Sequence, residues 1–210
     1  GWEIDDNISQ PETAKIAIEW FQSKLSETIV ELENLFSKYR LSDALMLLYK
    51  VFWDEFSAWY LEMIKPAYQQ PIDKETYKVT LHYFDALMRL LHPFMPFITE
   101  ELWQALYDRA AGESIMTTLQ PAQTVADKTL LADFETLKEV IAGVRTIRLE
   151  KNIPQKDARG LQVIGQHNHQ YDSVMTKICH LSSISPVSEK QPGASGFLIG
   201  TTEYSIPLAE

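Results

Sequence analysis

The stretch Leu91-His92-Pro93-Phe94-Met95-Pro96-Phe97-Ile98-Thr99-Glu100-Glu101-Leu102-Trp103 decides how this chain folds. It joins two helices through a bend built from two prolines and two phenylalanines. A residue before proline is pushed out of the helical region, so His92-Pro93 ends the helix that precedes it. Pro96 carries the fixed φ of a first-turn residue and lacks only an amide hydrogen that would have no partner there, so it opens the next helix. Upstream, Tyr77, Leu81, Phe84, Leu87 and Leu91 recur at helical spacing, and Asp73 stands where an N-cap is needed. Downstream, the helical pattern runs to about Ala111, ahead of Gly112.

The same spacing organises the chain on both sides of the bend. Ile16, Trp20, Leu25, Ile29, Leu32 and Phe36 predict one long amphipathic helix over residues 12–37. Ser37-Lys38-Tyr39-Arg40-Leu41 breaks it, and Ser42 is placed to cap a second helix. Leu45, Leu48, Phe52, Phe56, Trp59 and Met63 line that helix until Pro66 stops it. Residues 67–72 read as a turn, and 113–126 as a polar linker with room for a short extended piece. A fifth helix over 129–151 shows Leu130, Phe134, Leu137, Ile141, Val144 and Ile147, closed by Pro154. From Gly160 the segments become short and β-like: 161–164, 184–188, 197–199 and 204–206, with a helix over 169–181 and a hairpin loop at 200–203. The expectation is a mainly α fold. An antiparallel bundle of about five helices (1–155) precedes a small α+β unit of order β-α-β-β (156–210), with the boundary near 152–160.

Composition bounds what such a fold does. The 210 residues are 45% hydrophobic and 23% charged, ordinary for a globular protein. No apolar run approaches the roughly 20 residues of a membrane span. The start at Gly1, without Met or an apolar leader, suggests a piece of a longer polypeptide. The single cysteine, Cys179, has no intrachain disulfide partner and fits a reducing cytoplasm. A net charge of −10 argues against non-specific nucleic-acid binding by the whole surface. A local exception lies between Lys138 and Arg159, with six basic residues against three acidic ones, whereas residues 1–40 carry four basic and eight acidic.

Catalytic chemistry finds little support. His82, His92, His167, His169 and His180 lack a carboxylate or cysteine at metal-ligand spacing, so they read as structural or surface histidines and no metal is expected. There is no Gly-rich phosphate loop and no Gly-x-Ser-x-Gly elbow. The chain alone is expected to catalyse nothing.

Aromatic residues say more. Phe52, Trp53, Phe56, Trp59 and Tyr60 crowd one helix beyond what one apolar stripe needs. Trp53 and Tyr60 lie off that stripe and are the candidates to face outward, where a ring stacks on an unpaired base. Tyr39 and Arg40 sit at a helix junction, free to offer a ring and a cation; equally, Tyr39 staples the junction and Arg40 is solvated. Arg145 and Arg148 share one side of the fifth helix and could track an RNA backbone or pair with Glu139 or Glu150.

Two blocks, Leu91 to Trp103 and Trp53-Asp54-Glu55-Phe56-Ser57-Ala58-Trp59-Tyr60-Leu61-Glu62-Met63-Ile64-Lys65-Pro66, resemble the C-terminal anticodon-binding region of class I aminoacyl-tRNA synthetases, most closely the valyl-tRNA synthetases. Trp2 to Asp6 resembles the segment leading out of the catalytic core in that family. Tyr39 to Leu45 resembles the start of its second bundle helix, and Val144 to Pro154 its Arg-x-x-Arg segment. The resemblance implies a helical bundle that holds the anticodon loop of valine tRNA. Catalytic and editing domains of the same polypeptide, likewise implied, would carry out ATP- and Mg-dependent valylation. The nucleotide-binding motifs of that core are absent here, so no cofactor is expected, and the implied form is a cytoplasmic monomer. The family's coiled-coil arm would begin near Ala209-Glu210. Tyr39, Arg40, Trp53, Tyr60, Leu102, Trp103, Arg145 and Arg148 are the expected tRNA contacts, with Leu102 and Trp103 as apolar partners for a base. A protein-docking or scaffold module, or the equivalent domain of a leucyl or isoleucyl enzyme, stands as the alternative.

Overall fold

The computed structural model describes residues 2–208. Gly1 and Ala209-Glu210, on which the expectations about both chain ends rest, lie outside the described residues. Contacts divide the chain into two compact units, Gly1–Asp127 and Lys128–Glu210.

The first unit is helical. It contains α1 (Glu12–Ser37), α2 (Leu41–Lys50), a π-helical segment (Val51–Tyr60), α3 (Leu61–Ile64), α4 (Lys74–Leu91) and α5 (Pro96–Leu106). α4 ends at Leu91 and Pro96 opens α5 as expected, but His92 keeps right-handed helical geometry (φ −53°, ψ −41°). The chain therefore leaves the helix only after Pro93, where the amides of Phe94 and Met95 both turn back to the Leu91 carbonyl. Asp73 caps α4, its carboxylate accepting from the Thr76 amide at 2.8 Å. Ser42 does not cap α2, which begins at Leu41 with Arg40 in the cap position. Two short strands, β1 (Ile4–Asp5) and β2 (Ile72–Asp73), pair in parallel and tie the N-terminal stretch to the start of α4.

The middle of the second helix departs from α geometry. Over Val51–Tyr60 the backbone is π-helical, and the Ser57 hydroxyl donates to the carbonyl of Phe52, five residues back. The wider turn changes which side chains face inward: Val51, Phe56 and Tyr60 are buried, whereas Trp53 is exposed. The 3.6-residue stripe expected from sequence placed Trp59 on the core face and Tyr60 off it. The π geometry reverses that order.

The core of this unit is a cluster of rings around Phe21. Its centroid lies 4.9 Å from Tyr83, 5.2 Å from Tyr60, 5.3 Å from Phe56 and 6.0 Å from Trp20. The two buried phenols are satisfied, Tyr60 at 2.9 Å from the Thr80 hydroxyl and Tyr83 donating to the Ile18 carbonyl at 2.9 Å. The expected linker is a strap with built-in hydrogen bonds. Its one regular turn is a 3₁₀ helix, Ile115–Thr117. Thr124 meets Ser26 and accepts from Gln22, while the Asp127 amide donates to Ser23. Ser23 and Ser26 on α1 are therefore buried polar positions with partners.

The second unit is the expected α+β arrangement with a helix before it, but its order is β-α-β-β-β, one strand more than the expected β-α-β-β. It comprises α6 (Lys128–Glu150), β3 (Arg159–Ile164), α7 (Asp172–Cys179), β4 (Leu181–Pro186), β5 (Ser195–Ile199) and β6 (Thr202–Ile206). The sheet order is β4-β3-β6-β5. β3 and β4 run parallel with α7 as their crossover; the other two pairings are antiparallel. Gly200 (φ +59°) turns the β5–β6 hairpin, which is tighter than expected because β6 already begins at Thr202. The sequence reading drew its boundary after the fifth helix, near residues 152–160. By contacts α6 shares a compact unit with the sheet.

Close packing of α6 on the sheet is concentrated at Gly143, where an added Cβ would overlap the Phe197 ring. Gly143→Ala should therefore destabilise by about 1–3 kcal/mol through overpacking, although alanine favours an exposed helix by up to about 1 kcal/mol. Adding Phe197→Ala should recover part of the loss from Gly143→Ala in urea unfolding. Simple additivity of the two substitutions would exclude this contact as the cause.

Candidate nucleic-acid interface

An open groove runs between the second helix and the bend. Leu45 and Tyr49 of α2 with Phe52 and Trp53 of the π segment form one wall. Met88 and Leu91 of α4, Met95 of the bend, and Ile98, Thr99 and Leu102 of α5 form the other, enclosing about 300 Å³. Residues 45, 49 and 53 follow one another four apart, so they form a second apolar stripe beside the core-facing one. Trp53 is 54% exposed, with its ring 5.7 Å from Phe52 and 6.3 Å from Tyr49. The Thr99 hydroxyl is already engaged: it donates to the Met95 carbonyl at 2.7 Å and lies 2.8 Å from His92 Nδ1. The groove therefore offers rings and aliphatic carbon with little free polarity.

Two features fix its shape. Phe36 at the end of α1 stacks on Phe94 of the bend, centroids 6.0 Å apart and planes 17° apart. This holds the α1–α2 junction against the α4–α5 bend. Glu100 accepts from Gln104 at 2.8 Å, from the Ser114 hydroxyl at 2.7 Å and from the Ile115 amide at 3.1 Å. Those hydrogen bonds, Gln104 and Ser114 foremost, hold its carboxyl below the usual carboxylate range and clip the strap to α5.

The expected contact residues separate into two groups. Trp53 and Leu102 both line the groove. Tyr39 and Arg40 occupy the junction, Tyr39 in left-handed backbone (φ +56°) with 89% of its surface exposed. Arg40 is exposed and its Nε donates to Asp43 at 2.8 Å. Arg145 is exposed on α6, in the second unit.

Tyr60, Trp103 and Arg148 lie elsewhere. Tyr60 is fully buried in the ring cluster, and burial pushes its phenol well above the usual tyrosine range. Trp103 is buried too, and its face is already taken: the Arg109 guanidinium carbon sits 3.4 Å from the ring centroid. Arg109 in turn reaches Asp85 at 3.4 Å, which Arg89 also pairs at 2.8 Å. Arg148 is only 5% exposed. Its guanidinium donates to the carbonyls of Pro154, Asp157 and His180 at 3.0–3.1 Å, locking the turn after α6 and the end of α7. These three residues are spent inside the protein and cannot meet RNA without local unfolding. Sequence reasoning missed Tyr49, Phe52, Met95 and Ile98 and put Leu45 in the core; the stripe at 45, 49 and 53 was the available signal.

Of the six basic residues between 138 and 159, at least three are engaged within the protein. Besides Arg148, Lys138 pairs with Glu135 at 3.2 Å and Arg159 with Asp157 at 3.9 Å. Cys179 is buried, and desolvation pushes its thiol up to about 11, so it is no nucleophile. The reading that no histidine has a carboxylate partner is corrected at one place: Asp172 lies between His167 and His169. Among the described residues no helix is long and apolar enough to cross a membrane.

The sequence comparisons identify the family to which this helical bundle belongs. The family described as the anticodon-binding domain of tRNA ligase matches residues 19–164, and the chain belongs to it. Among curated relatives it is 61% identical over 208 residues to the valine–tRNA ligase of Parabacteroides distasonis, covering 99% of this chain and 24% of that protein. It is 58% identical to the valine–tRNA ligase of Phocaeicola vulgatus, with the same coverage. The match to the Thermotoga maritima valine–tRNA ligase is 34% over 86% of this chain and 21% of that protein. The chain thus spans about a quarter of the length of the first of these relatives.

Arg148 tests the division between groove and framework. Arg148→Lys keeps the charge but cannot reach three carbonyls from one planar fork. It should lower stability by roughly 2 kcal/mol or more, through lost charged hydrogen bonds, measured by urea unfolding. Unchanged stability would return Arg148 to the list of surface contacts.

Proposed function

We propose that this chain is the anticodon-reading region of a valine–tRNA ligase and that its groove receives unpaired bases from the anticodon loop of valine tRNA. The observation that carries this reading is the groove itself. Tyr49 and Trp53 are exposed along one wall, Ile98 and Leu102 along the other, and the exposed junction at Tyr39-Arg40 lies in the same unit. Every base has a π-face, so a ring wall with an aliphatic wall opposite holds a base by stacking without needing hydrogen bonds. Tyr39 offers a ring for a neighbouring nucleotide. Arg40 offers a cation for its phosphate, because an exposed pair such as Arg40–Asp43 is weak and readily exchanged. Arg145 is a backbone contact from the second unit.

In this reading the chemistry belongs to catalytic and editing domains of the same polypeptide, where ATP and Mg serve valine activation. This chain needs no cofactor for its part, catalyses nothing alone, and works within a monomeric cytoplasmic enzyme. A second reading, docking of a partner helix, draws support from one observation: no Lys or Arg is among the groove-lining residues.

Binding of the chain to labelled valine tRNA, against the same tRNA with a swapped anticodon, separates the two. The native anticodon should be preferred. Trp53→Ala should weaken that binding by about 1–3 kcal/mol, the worth of one stacked base, without changing the melting temperature. Arg40→Ala should reduce the slope of log affinity against log salt by about one phosphate contact. Equal binding of both tRNAs, indifferent to Trp53→Ala, would sink the base-reading role. Absence of tRNA binding in the intact enzyme's anticodon region would favour the partner helix.

A further inference from the structure

His167, His169 and Asp172 bring three ligand-type groups together in the second unit, where the proposed tRNA reading makes no use of them. Asp172 opens α7, and a 3₁₀ turn (His169–Tyr171) leads into it. The Asn168 side chain accepts from the Gln170 amide at 3.0 Å and fixes that turn. As a result one carboxylate serves two rings: Asp172 Oδ1 lies 2.7 Å from His167 Nε2, and Oδ2 lies 2.7 Å from His169 Nδ1. The ligand atoms of all three residues lie within 4.8 Å of one another. The imidazole planes cross at 88° with centroids 4.8 Å apart. Because an imidazole lone pair lies in its ring plane, this arrangement aims two nitrogens at one carboxylate.

We propose that His167, His169 and Asp172 form a binding site for one late divalent transition-metal ion of the zinc class, held through His167 Nε2, His169 Nδ1 and the Asp172 carboxylate. Two nitrogens and a carboxylate suit zinc, cobalt or nickel and not magnesium or calcium, which demand oxygen shells. Each ring binds as a neutral imidazole that keeps its one N–H on the nitrogen turned away from the ion, and the ion replaces the contacts the rings make with the carboxylate. Around it stands the support such ligands need. His167 Nδ1 is 2.9 Å from the Tyr204 hydroxyl on β6, so with Nε2 on the metal this N–H donates to the phenol oxygen. That phenol stays neutral, its acidity suppressed by burial first and by the Asp172 charge second. Asp133 on α6 adds a second negative charge nearby, accepting from Tyr171 at 3.3 Å and Asn168 at 3.5 Å. A cavity of about 90 Å³ opens beside His167, lined also by Asp133, Asn168 and Tyr204. Neither His169 nor Asp172 lines that cavity, so the fourth ligand is a solvent water reaching the ion from the exposed His169 side. An ion here ties the loop after β3 to the first turn of α7 and, through Tyr204, to β6, so it stabilises the second unit.

The test uses the untagged, metal-stripped 210-residue chain. Cobalt titration should give the visible absorption of a low-coordinate nitrogen–oxygen site, saturating at one equivalent, and zinc should displace it and raise the melting temperature. Magnesium should do neither. His169 is half-exposed, so His169→Ala should fold with an unchanged melting temperature when metal is absent. It should lose the cobalt spectrum and the zinc-induced shift. Tyr204→Phe, which keeps the ligands and removes their support, should weaken binding by about 10- to 100-fold. His180→Ala, outside the cluster, should behave as the parent. No cobalt or zinc binding by the parent chain, or undiminished binding by His169→Ala, would overturn the site.

Discussion

The first unit is organised by the contact of one ring, Phe21, with rings on two other helical stretches. Phe21 belongs to α1, Tyr83 to α4, and Phe56 and Tyr60 to the π segment. Aromatic side chains bury large areas and add edge or tilted ring contacts worth about 0.5–1.5 kcal/mol each beyond burial. Three helical elements therefore converge on a single point, and their remaining faces are set by what that point leaves over. α1 turns Ser23 and Ser26 away from the rings, where the strap satisfies them. α4 presents Met88 and Leu91, and the second helix presents Leu45, Tyr49 and Trp53, to a groove the core does not fill.

The bend completes that groove through the register at which α4 stops and α5 starts. With α4 stopped at Leu91 and α5 opened at Pro96, Phe94 falls where it stacks on Phe36, and His92 reaches the Thr99 hydroxyl. Ile98 and Leu102 then follow four residues apart on the outward side of α5. Trp103, next along, turns inward beneath Arg109. Adjacent residues thus have unlike fates, one wall of an open groove and one plug in the interior.

What the sequence reveals depends on whether the deciding partner is local. α1, α4, the start of α5, the Asp73 cap and the helix between the first two strands of the sheet all follow from spacing, proline and capping chemistry within a few residues. Arg148 could not be read that way, since its three carbonyl partners lie six, nine and 32 residues further on. Trp103 has the same difficulty, for the Arg109 that covers it is held in part by Asp85 on another helix. Tyr60 failed for a different reason: a periodicity of 3.6 was imposed on a segment whose hydrogen bonding runs five residues back. Asp172 was the most accessible omission, standing three residues after His169, a distance that one turn closes.

The π segment carries one further consequence. The same ten residues supply both the groove wall, through Phe52 and Trp53, and the plug of the core, through Phe56 and Tyr60. They act as a shared shaft: Trp53's backbone cannot swing without turning Phe56 and Tyr60 against Phe21. The wall is preorganised by the interior, so an occupant gives up little ordering entropy to the protein on arrival. If the groove receives bases as proposed, a stiff wall of this kind would select by shape, admitting a flat ring and refusing what requires the shaft to rotate.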